Sequence, residues 1–277
     1  MSNIKILNGI IDCNDAAQTN TTKRLNGIYF AGNFAQKVGS SNLEVIGTQI
    51  INPLWSGILV DHWANNITLR DTSTCNAGWR YSAAGAPPHG VYFSGAGSLI
   101  IDHHTSYNDS GSAIAESAIK IADPAYANSS IIIKNCVISQ AIIFGLQIKT
   151  SLTAIDGVNL PAFTSVLVED NYFVANGKTA LAIYGFTNAT LTPRATIVGN
   201  TFVNSGARSG YNGPASSILL YNTTYCLVSG NSFIDNNNIA TYHVREDGSA
   251  NFNIITANVY KGTATNSIIG ANSTGTN

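Results

Sequence analysis

Residues that can transfer protons or offer flat aromatic surfaces are concentrated in one stretch of the chain. All three tryptophans lie within 25 residues of one another, and four of the five histidines lie between positions 62 and 104. The side chains concerned are those of Trp55, Trp63, Trp79, His62, His89, His103 and His104. Aromatic rings offer flat apolar faces, while imidazole groups exchange protons near neutral pH. This stretch is therefore the predicted location of the functional site.

Four residues are candidates for catalysis. Asp61 can act with His62 or with His89 as general acid and base, because both residue types suit proton transfer near neutral pH. Lys149, or Lys120 in its place, can neutralise a substrate carboxylate or act as a base. The competing interpretation is a turn-capping aspartate, surface imidazoles and a solvated cation. Both interpretations stay open from the sequence.

The adjacent residues Asp102, His103 and His104 do not predict a metal site. Successive side chains of an extended chain point in opposite directions, so the three cannot all reach one ion. We expect a structural or subunit-contact role for the two histidines. No metal or other cofactor is predicted.

A long turn over residues 76–88 leads into His89 and carries aromatic and cationic side chains. Loops held on a rigid scaffold are frequent sites of binding. We expect the tryptophans to be exposed, because an exposed tryptophan is a natural surface on which a ligand ring can stack. The predicted substrate-binding residues are Trp55, Trp63, Trp79, Arg80, Tyr81, Tyr92, Lys120 and Gln147.

The composition of the chain excludes several functional classes. The 277 residues include 14 Lys and Arg against 15 Asp and Glu, for a net charge of -1. Near-zero charge removes the electrostatic basis for nonspecific nucleic-acid binding. The apolar runs are far too short to span a bilayer, and the N-terminus lacks a secretory signal pattern. A hydrophobic share of 44% excludes wholesale disorder.

Two short patterns recur along the chain. The first has two apolar residues, two variable ones, Asn, any residue and an apolar one, as in segments 167–173, 197–203 and 227–233. The second lies about midway between copies of the first and alternates apolar with other residues, which predicts strands with one buried face. Its inward residues would be Ile28, Phe30, Ile58, Val60, Val91, Phe93, Ile119, Ile121, Leu146, Ile148, Leu181, Ile183, Ile218 and Leu220.

Each unit of about 30 residues thus holds two or three short strands, and such units must stack to bury their apolar faces. Stacking brings the Asn of each first pattern into one column, where the amides can hydrogen-bond from coil to coil. The predicted column is Asn8, Gly47, Asp71, His104, Asn135, Asn171, Asn200, Asn231 and Asn258. The predicted fold is an all-β, right-handed parallel β-helix of about nine coils with an Asn ladder, forming a single domain over residues 1–277.

These patterns resemble the pectate-lyase-like β-helix superfamily, which includes polysaccharide lyases, polygalacturonase-type hydrolases and phage tailspike depolymerases. Segments 89–95 (HGVYFSG) and 145–150 (GLQIKT) are similar to the His-Gly and Gly-x-Arg-Ile-Lys-Thr motifs of polygalacturonases. Gln147 stands in place of the arginine, no adjacent pair of aspartates precedes His89, and one extra coil separates the motifs. The polygalacturonase mechanism is therefore not transferred to this chain.

The resemblance implies a substrate groove on the outer face of the strands that carry the second pattern. Alternation places two rows of residues outward: first Tyr29, Leu59, Tyr92, Lys120, Gln147, Ala182 and Leu219, then Ala31, Asp61, Ser94, Ala122, Lys149, Tyr184 and Tyr221. The implied function is hydrolysis or elimination of an acidic or bacterial surface polysaccharide. The alternatives are a non-catalytic carbohydrate-binding or adhesion domain and a purely structural solenoid.

The resemblance also bears on assembly and location. The strand pattern begins at Ile4 with no capping helix before it, which leaves an open sheet edge. We therefore expect a domain excised from a longer chain, or an end covered by a neighbouring subunit. A homotrimer and an extracellular or virion-associated location follow from the likeness to tailspikes.

Overall fold

A computed structural model of the chain describes thirteen stretches of residues. They are 2–13, 25–32, 39–61, 64–78, 87–94, 96–107, 116–122, 130–149, 165–185, 195–206, 215–262, 266–269 and 274–275. The regular elements in these stretches are all β-strands. None of the described residues forms a helix long and apolar enough to cross a membrane.

The strands form two sheets, and every strand pairing in the first, nine-stranded sheet is parallel. Its strands are β2 (Ile28–Ala31), β4 (Ile58–Asp61), β7 (His89–Phe93), β10 (Ser117–Ala122), β13 (Phe144–Lys149), β16 (Thr179–Tyr184), β19 (Ser216–Tyr221), β22 (Tyr242–Asp247) and β25 (Asn266–Ile269).

The second sheet has 17 strands. They are β1 (Ser2–Asp12), β3 (Ser41–Ile51), β5 (Asn65–Arg70), β6 (Ser73–Cys75), β8 (Ala96–Asp102), β9 (Thr105–Tyr107), β11 (Ser130–Lys134), β12 (Val137–Ser139), β14 (Ser165–Glu169), β15 (Tyr172–Val174), β17 (Ala195–Val198), β18 (Thr201–Val203), β20 (Leu227–Ser229), β21 (Ser232–Asp235), β23 (Ile254–Thr256), β24 (Val259–Gly262) and β26 (Thr274–Gly275).

The chain alternates between the sheets, so the predicted parallel β-solenoid is confirmed. About five regular turns are present rather than the predicted nine. The first two coils cross the 17-stranded sheet as single strands of 11 residues, β1 and β3, where later coils use two short strands. A register shift between Asn65 and Ile67 interrupts the next coil. The repeat is therefore least regular in the part of the chain that contains the predicted site.

The interior is filled by the residues that alternation placed inward. All fourteen predicted inward residues of the nine-stranded sheet are buried. On the other sheet, the rings of Phe173, Phe202, Phe233 and Tyr260 stack with centroids 4.8, 5.0 and 5.2 Å apart. These distances match the spacing between neighbouring strands, because equivalent residues of successive coils lie directly above one another.

The predicted Asn column proves to be two adjacent columns, and an Asn ladder through all the coils is not shown. Strand pairing aligns Asn8, Gly47, Asp71 and Asn135 with Asp170, one position before Asn171. Residues in this first column have positive φ, and Asn135 is exposed. Asn, Asp and Gly tolerate this left-handed backbone best. Because Asn is therefore common at this position too, the predicted column was placed one residue too early in these coils.

The second column is the buried one. It aligns Thr48, Thr72, His104 and Cys136 with the asparagines of the later coils. The side-chain amides of Asn171, Asn200 and Asn231 each donate to the Oδ1 of the next asparagine, at 2.9, 3.0 and 3.0 Å, and the series ends at Asn258.

Asn200 occupies the middle of this series. Its Nδ2 also donates to the carbonyl of Val168 at 2.9 Å, and its Oδ1 accepts from the backbone N–H of Asn171 at 3.0 Å. Asn200→Ala should therefore lower the free energy of unfolding by about 1–3 kcal/mol, since buried partners are left unsatisfied. Denaturant unfolding measures this loss. Asn135→Gly, at the exposed left-handed position, is the control, and an equal loss there would contradict the assignment.

His104 takes the place of an amide in the buried column. Its Nδ1 lies 2.8 Å from Thr72 Oγ1, and its Nε2 lies 3.3 Å from Thr74 Oγ1. Burial lowers its pKa from 6.5 to about 4. His103, in contrast, is exposed and has positive φ. The His103 side chain thus points to solvent and the His104 side chain points into the interior, where it has the expected structural role.

The low pKa of His104 makes stability depend on pH. In the unfolded chain His104 binds a proton near pH 6.5, whereas in the folded chain it does so only near pH 4. The free energy of unfolding is therefore highest above pH 6.5 and decreases as the pH falls toward 4. Between these two pH values the free energy of unfolding should fall by about 3 kcal/mol less in His104→Asn than in the parent protein. Chemical denaturation across this range measures it, with His103→Asn as the control that retains the loss.

Candidate functional site

The outer face of the nine-stranded sheet carries the predicted rows. Strand pairing aligns Tyr29, Leu59, Tyr92, Lys120 and Gln147 in one row, which continues to Arg245. Several of its members are covered by neighbours on this same face. Leu59 packs with Trp55 and Tyr92, outside the main core, and Gln147 is only 6% exposed. The face is therefore a partly covered surface.

A charged cluster lies on this face around the start of β10. Glu116 Oε2 is 3.4 Å from Lys120 Nζ and 4.0 Å from His89 Nε2. Lys120 Nζ also lies 5.8 Å from the centre of the Tyr92 ring, and the ring of His89 lies 5.2 Å from that of Tyr92. We call Glu116, Lys120, His89 and Tyr92 the β10 cluster.

Backbone hydrogen bonds between coils hold Glu116 in place. Its N–H donates to the carbonyl of Pro88 at 3.0 Å, and its own carbonyl accepts from the N–H groups of Ile143 and Phe144 at 3.0 and 2.9 Å. The residue is thus fixed between the coil before it and the coil after it. A fixed backbone limits how far the Glu116 side chain can move when a ligand binds, which favours catalysis.

His89 lies at the back of the cluster. It is 2% exposed, and its pKa is lowered well below 6.5, first by burial and second by the charge of Lys120, against an opposing backbone hydrogen bond at Ser117. The imidazole is therefore neutral at pH 7. Because it is buried, it can support Glu116 more readily than it can touch a substrate.

The structure does not bring Asp61 and His89 together as an acid–base pair. Asp61 aligns with Ser94, whose hydroxyl donates to Asp61 Oδ1 at 2.8 Å. His89 is five residues before Ser94, which corresponds to roughly 16 Å along a strand. Asp61 instead interacts with the exposed Tyr29, whose pKa is raised by burial first and by the Asp61 charge and hydrogen bond next.

The other predicted site residues have varied positions. Trp55 is 6% exposed and packs on Leu59 and Tyr92, so it supports the Tyr92 ring and is not the exposed platform that we expected. Lys149 is exposed at the end of β13, in the row that contains Tyr184 and Tyr221. Five predicted residues lie outside the described part of the chain: His62, Trp63, Trp79, Arg80 and Tyr81.

Glu116 was missed by the sequence analysis. The alternation that placed Lys120 outward fails two residues earlier, at Ala118, which belongs to the buried core. The chain bends at Glu116, directly before β10, and this bend places the Glu116 side chain on the outer face. The usable signal was the pair of opposite charges four residues apart, in a chain that contains four glutamates.

A second aromatic group lies further along the same face. The rings of Phe144 and Tyr184 are 6.1 Å apart, and those of Tyr184 and Tyr221 are 5.6 Å apart. Burial raises the pKa of Tyr184 to about 12, and the nearby charge of Glu116 adds to this rise. Among the described residues, no three His, Cys, Asp or Glu side chains converge on a position for a metal ion.

No family model and no curated protein sequence matches the chain. Solved structures do match. A mutant tailspike protein of E. coli bacteriophage HK620, in complex with a pentasaccharide, aligns with a TM-score of 0.69 and 15% identity. The match covers 100% of this chain and 46% of the tailspike chain, so this chain spans less than half the length of that relative.

Two other solved structures align at similar identity. The A-module of a mannuronan C-5 epimerase of Azotobacter vinelandii has a TM-score of 0.56 and 15% identity, over 92% of this chain and 74% of that module. DFA-IIIase from Arthrobacter chlorophenolicus, without its lid, has a TM-score of 0.54 and 16% identity, over 88% of this chain and 54% of the enzyme. The chain thus has the right-handed parallel β-helix fold.

Proposed function

We propose that the chain is a polysaccharide-processing β-helix whose glycan lies across the outer face of the nine-stranded sheet. The observation that carries the proposal is the β10 cluster, in which a fixed carboxylate, a lysine, a neutral histidine and a tyrosine meet beside Trp55. Likeness to a tailspike in complex with a pentasaccharide and to a mannuronan epimerase supports a carbohydrate substrate.

The cluster favours elimination at an acidic sugar over hydrolysis by two carboxylates. Hydrolysis of glycosidic bonds commonly uses two carboxyl groups about 5–10 Å apart. Glu116 is hydrogen-bonded to Pro88, whereas Asp61 lies beside Ser94, six residues further along the chain. Asp61 is therefore roughly 20 Å from Glu116 along the strand direction. Among the described residues of this cluster, Glu116 is the single carboxylate.

In this elimination, Glu116 takes the proton from the carbon next to the sugar carboxylate, and Lys120 offsets the charge that develops there. The electron pair forms a carbon–carbon double bond, the glycosidic bond breaks, and Tyr92 donates a proton to the leaving oxygen. His89 packs behind Glu116 at 4.0 Å and, because it is neutral, adds no buried charge. No further reactant is needed.

Glu116→Gln should lower turnover by about 100-fold or more, because the amide cannot accept the proton. Ultraviolet absorbance of the unsaturated product and release of reducing ends are measured on polygalacturonate, mannuronan and dextran. Reducing ends without the absorbance would identify a hydrolase instead. Glu169→Gln, on the 17-stranded sheet, is the matched control. Equal rates in the two variants would contradict the role of Glu116.

A non-catalytic carbohydrate-binding or adhesion domain is the second candidate, favoured by Tyr29, which is 59% exposed at the start of the same row. Retention of a glycan with no product from any of the three polymers would establish it. An extracellular or virion-associated location belongs to the proposal as well, supported by the tailspike likeness. The homotrimer stays a prediction from the sequence. Sedimentation equilibrium tests the trimer.

A further inference from the structure

Two exposed aromatic side chains form a stack at one corner of the solenoid, apart from the β10 cluster. Tyr225 is 61% exposed and Phe252 is 58% exposed. Their ring centroids are 5.8 Å apart, and their planes differ by 13°. The residues occupy equivalent positions in successive coils, in the turn that follows the nine-stranded sheet. We call this pair the corner stack.

Both residues of the corner stack have left-handed backbone, with φ of 59° for Tyr225 and 54° for Phe252. Asn, Asp and Gly adopt this conformation most readily, and they hold most of the left-handed positions described in this chain. A bulky aromatic residue there is a strained choice, and strain of this kind concentrates at functional positions. Stability of the turn alone would favour asparagine.

The backbone under the corner stack is firmly held. Thr224 pairs with Asn251 in a parallel bridge, and the N–H of Asn251 donates to the carbonyl of Thr223 at 3.0 Å. The N–H of Cys226 donates to Asn253 Oδ1 at 2.9 Å. The rings are therefore presented in fixed positions, which lowers the entropic cost of binding a ligand.

The corner stack continues the aromatic surface of the proposed glycan face. Tyr221 ends β19 four residues before Tyr225, and its ring contacts that of Tyr184 on the outer face. Tyr221 also lies against Gly248, which belongs to the coil that carries Phe252. A polymer on the outer face would thus meet the corner stack when it crosses the edge of the sheet.

We propose that the corner stack is a separate sugar-binding subsite that takes a neutral pyranose ring of the same polysaccharide. This inference rests on the proposed function, because it takes a glycan as the ligand. The apolar face of the sugar would lie on the exposed aromatic surface, and the Tyr225 hydroxyl would bind a sugar hydroxyl. The flanking residues from 222 to 226 and from 250 to 253 are uncharged, which favours a neutral ring over an acidic one.

The double variant Tyr225→Asn, Phe252→Asn tests this subsite. Asparagine suits the left-handed turn, so the melting temperature should stay the same or rise. Affinity should fall by about 10-fold, as expected when stacking on a sugar is lost. Affinity electrophoresis measures this loss in gels that contain dextran or E. coli lipopolysaccharide. The acidic polymers mannuronan and polygalacturonate should show a smaller loss. Tyr172→Thr removes an exposed tyrosine from the 17-stranded sheet and should change neither quantity.

Two comparisons separate this subsite from the proposed function. If Glu116→Gln keeps full turnover while the double variant loses affinity, the β10 cluster is not catalytic and the subsite stands. If Glu116→Gln abolishes turnover while the double variant binds every polymer as the parent does, the subsite is overturned. A lower melting temperature with unchanged affinity, or a change in sedimentation alone, would also overturn it. Retention of the parent protein by none of the polymers would overturn both proposals.

Discussion

The structure depends on one constraint: each coil must place its residues directly above their equivalents in the previous coil. Parallel pairing fixes this register strand by strand, for example Val91 on Ile58 and Ile119 on Val91. Each chemical choice is therefore repeated at the strand spacing, whether it is an apolar side chain, a buried amide or a left-handed turn. Successive coils must satisfy one another's polar groups, and Asn171, Asn200 and Asn231 do so by sharing donors and acceptors along one column.

Side-chain alternation was sufficient to predict the fold class and the core. Inward residues such as Val91 and Phe93 were predicted because a strand with one wet face must alternate. The position of the Asn column was harder, because two neighbouring columns favour asparagine for different reasons. In one, the amide bonds to the next coil, whereas in the other, at Asn135, the backbone is left-handed. Sequence alone does not separate these demands. The predicted column was one residue off at Asn8, Gly47, Asp71 and Asn135 but correct at His104.

The site was less predictable than the fold because it depends on the bends between strands. The rows of the outer face were correct, but Glu116 precedes the strand and reaches the face through a turn fixed by Pro88 and Ile143. Asp61 and His89 looked like partners because both lie in the same rare cluster of residue types. Their positions along the strand direction keep them apart, although they lie in the same part of the sequence.

The strand pairings described link coils that follow one another, and this has a consequence for how a local disturbance spreads. In a stack of this kind, stability is close to a sum of coil terms and nearest-neighbour terms. A substitution in one coil therefore acts first on the coils directly before and after it. The β10 cluster takes His89 and Tyr92 from β7 and takes Lys120 from β10, so its geometry depends on the contact between these two neighbouring coils.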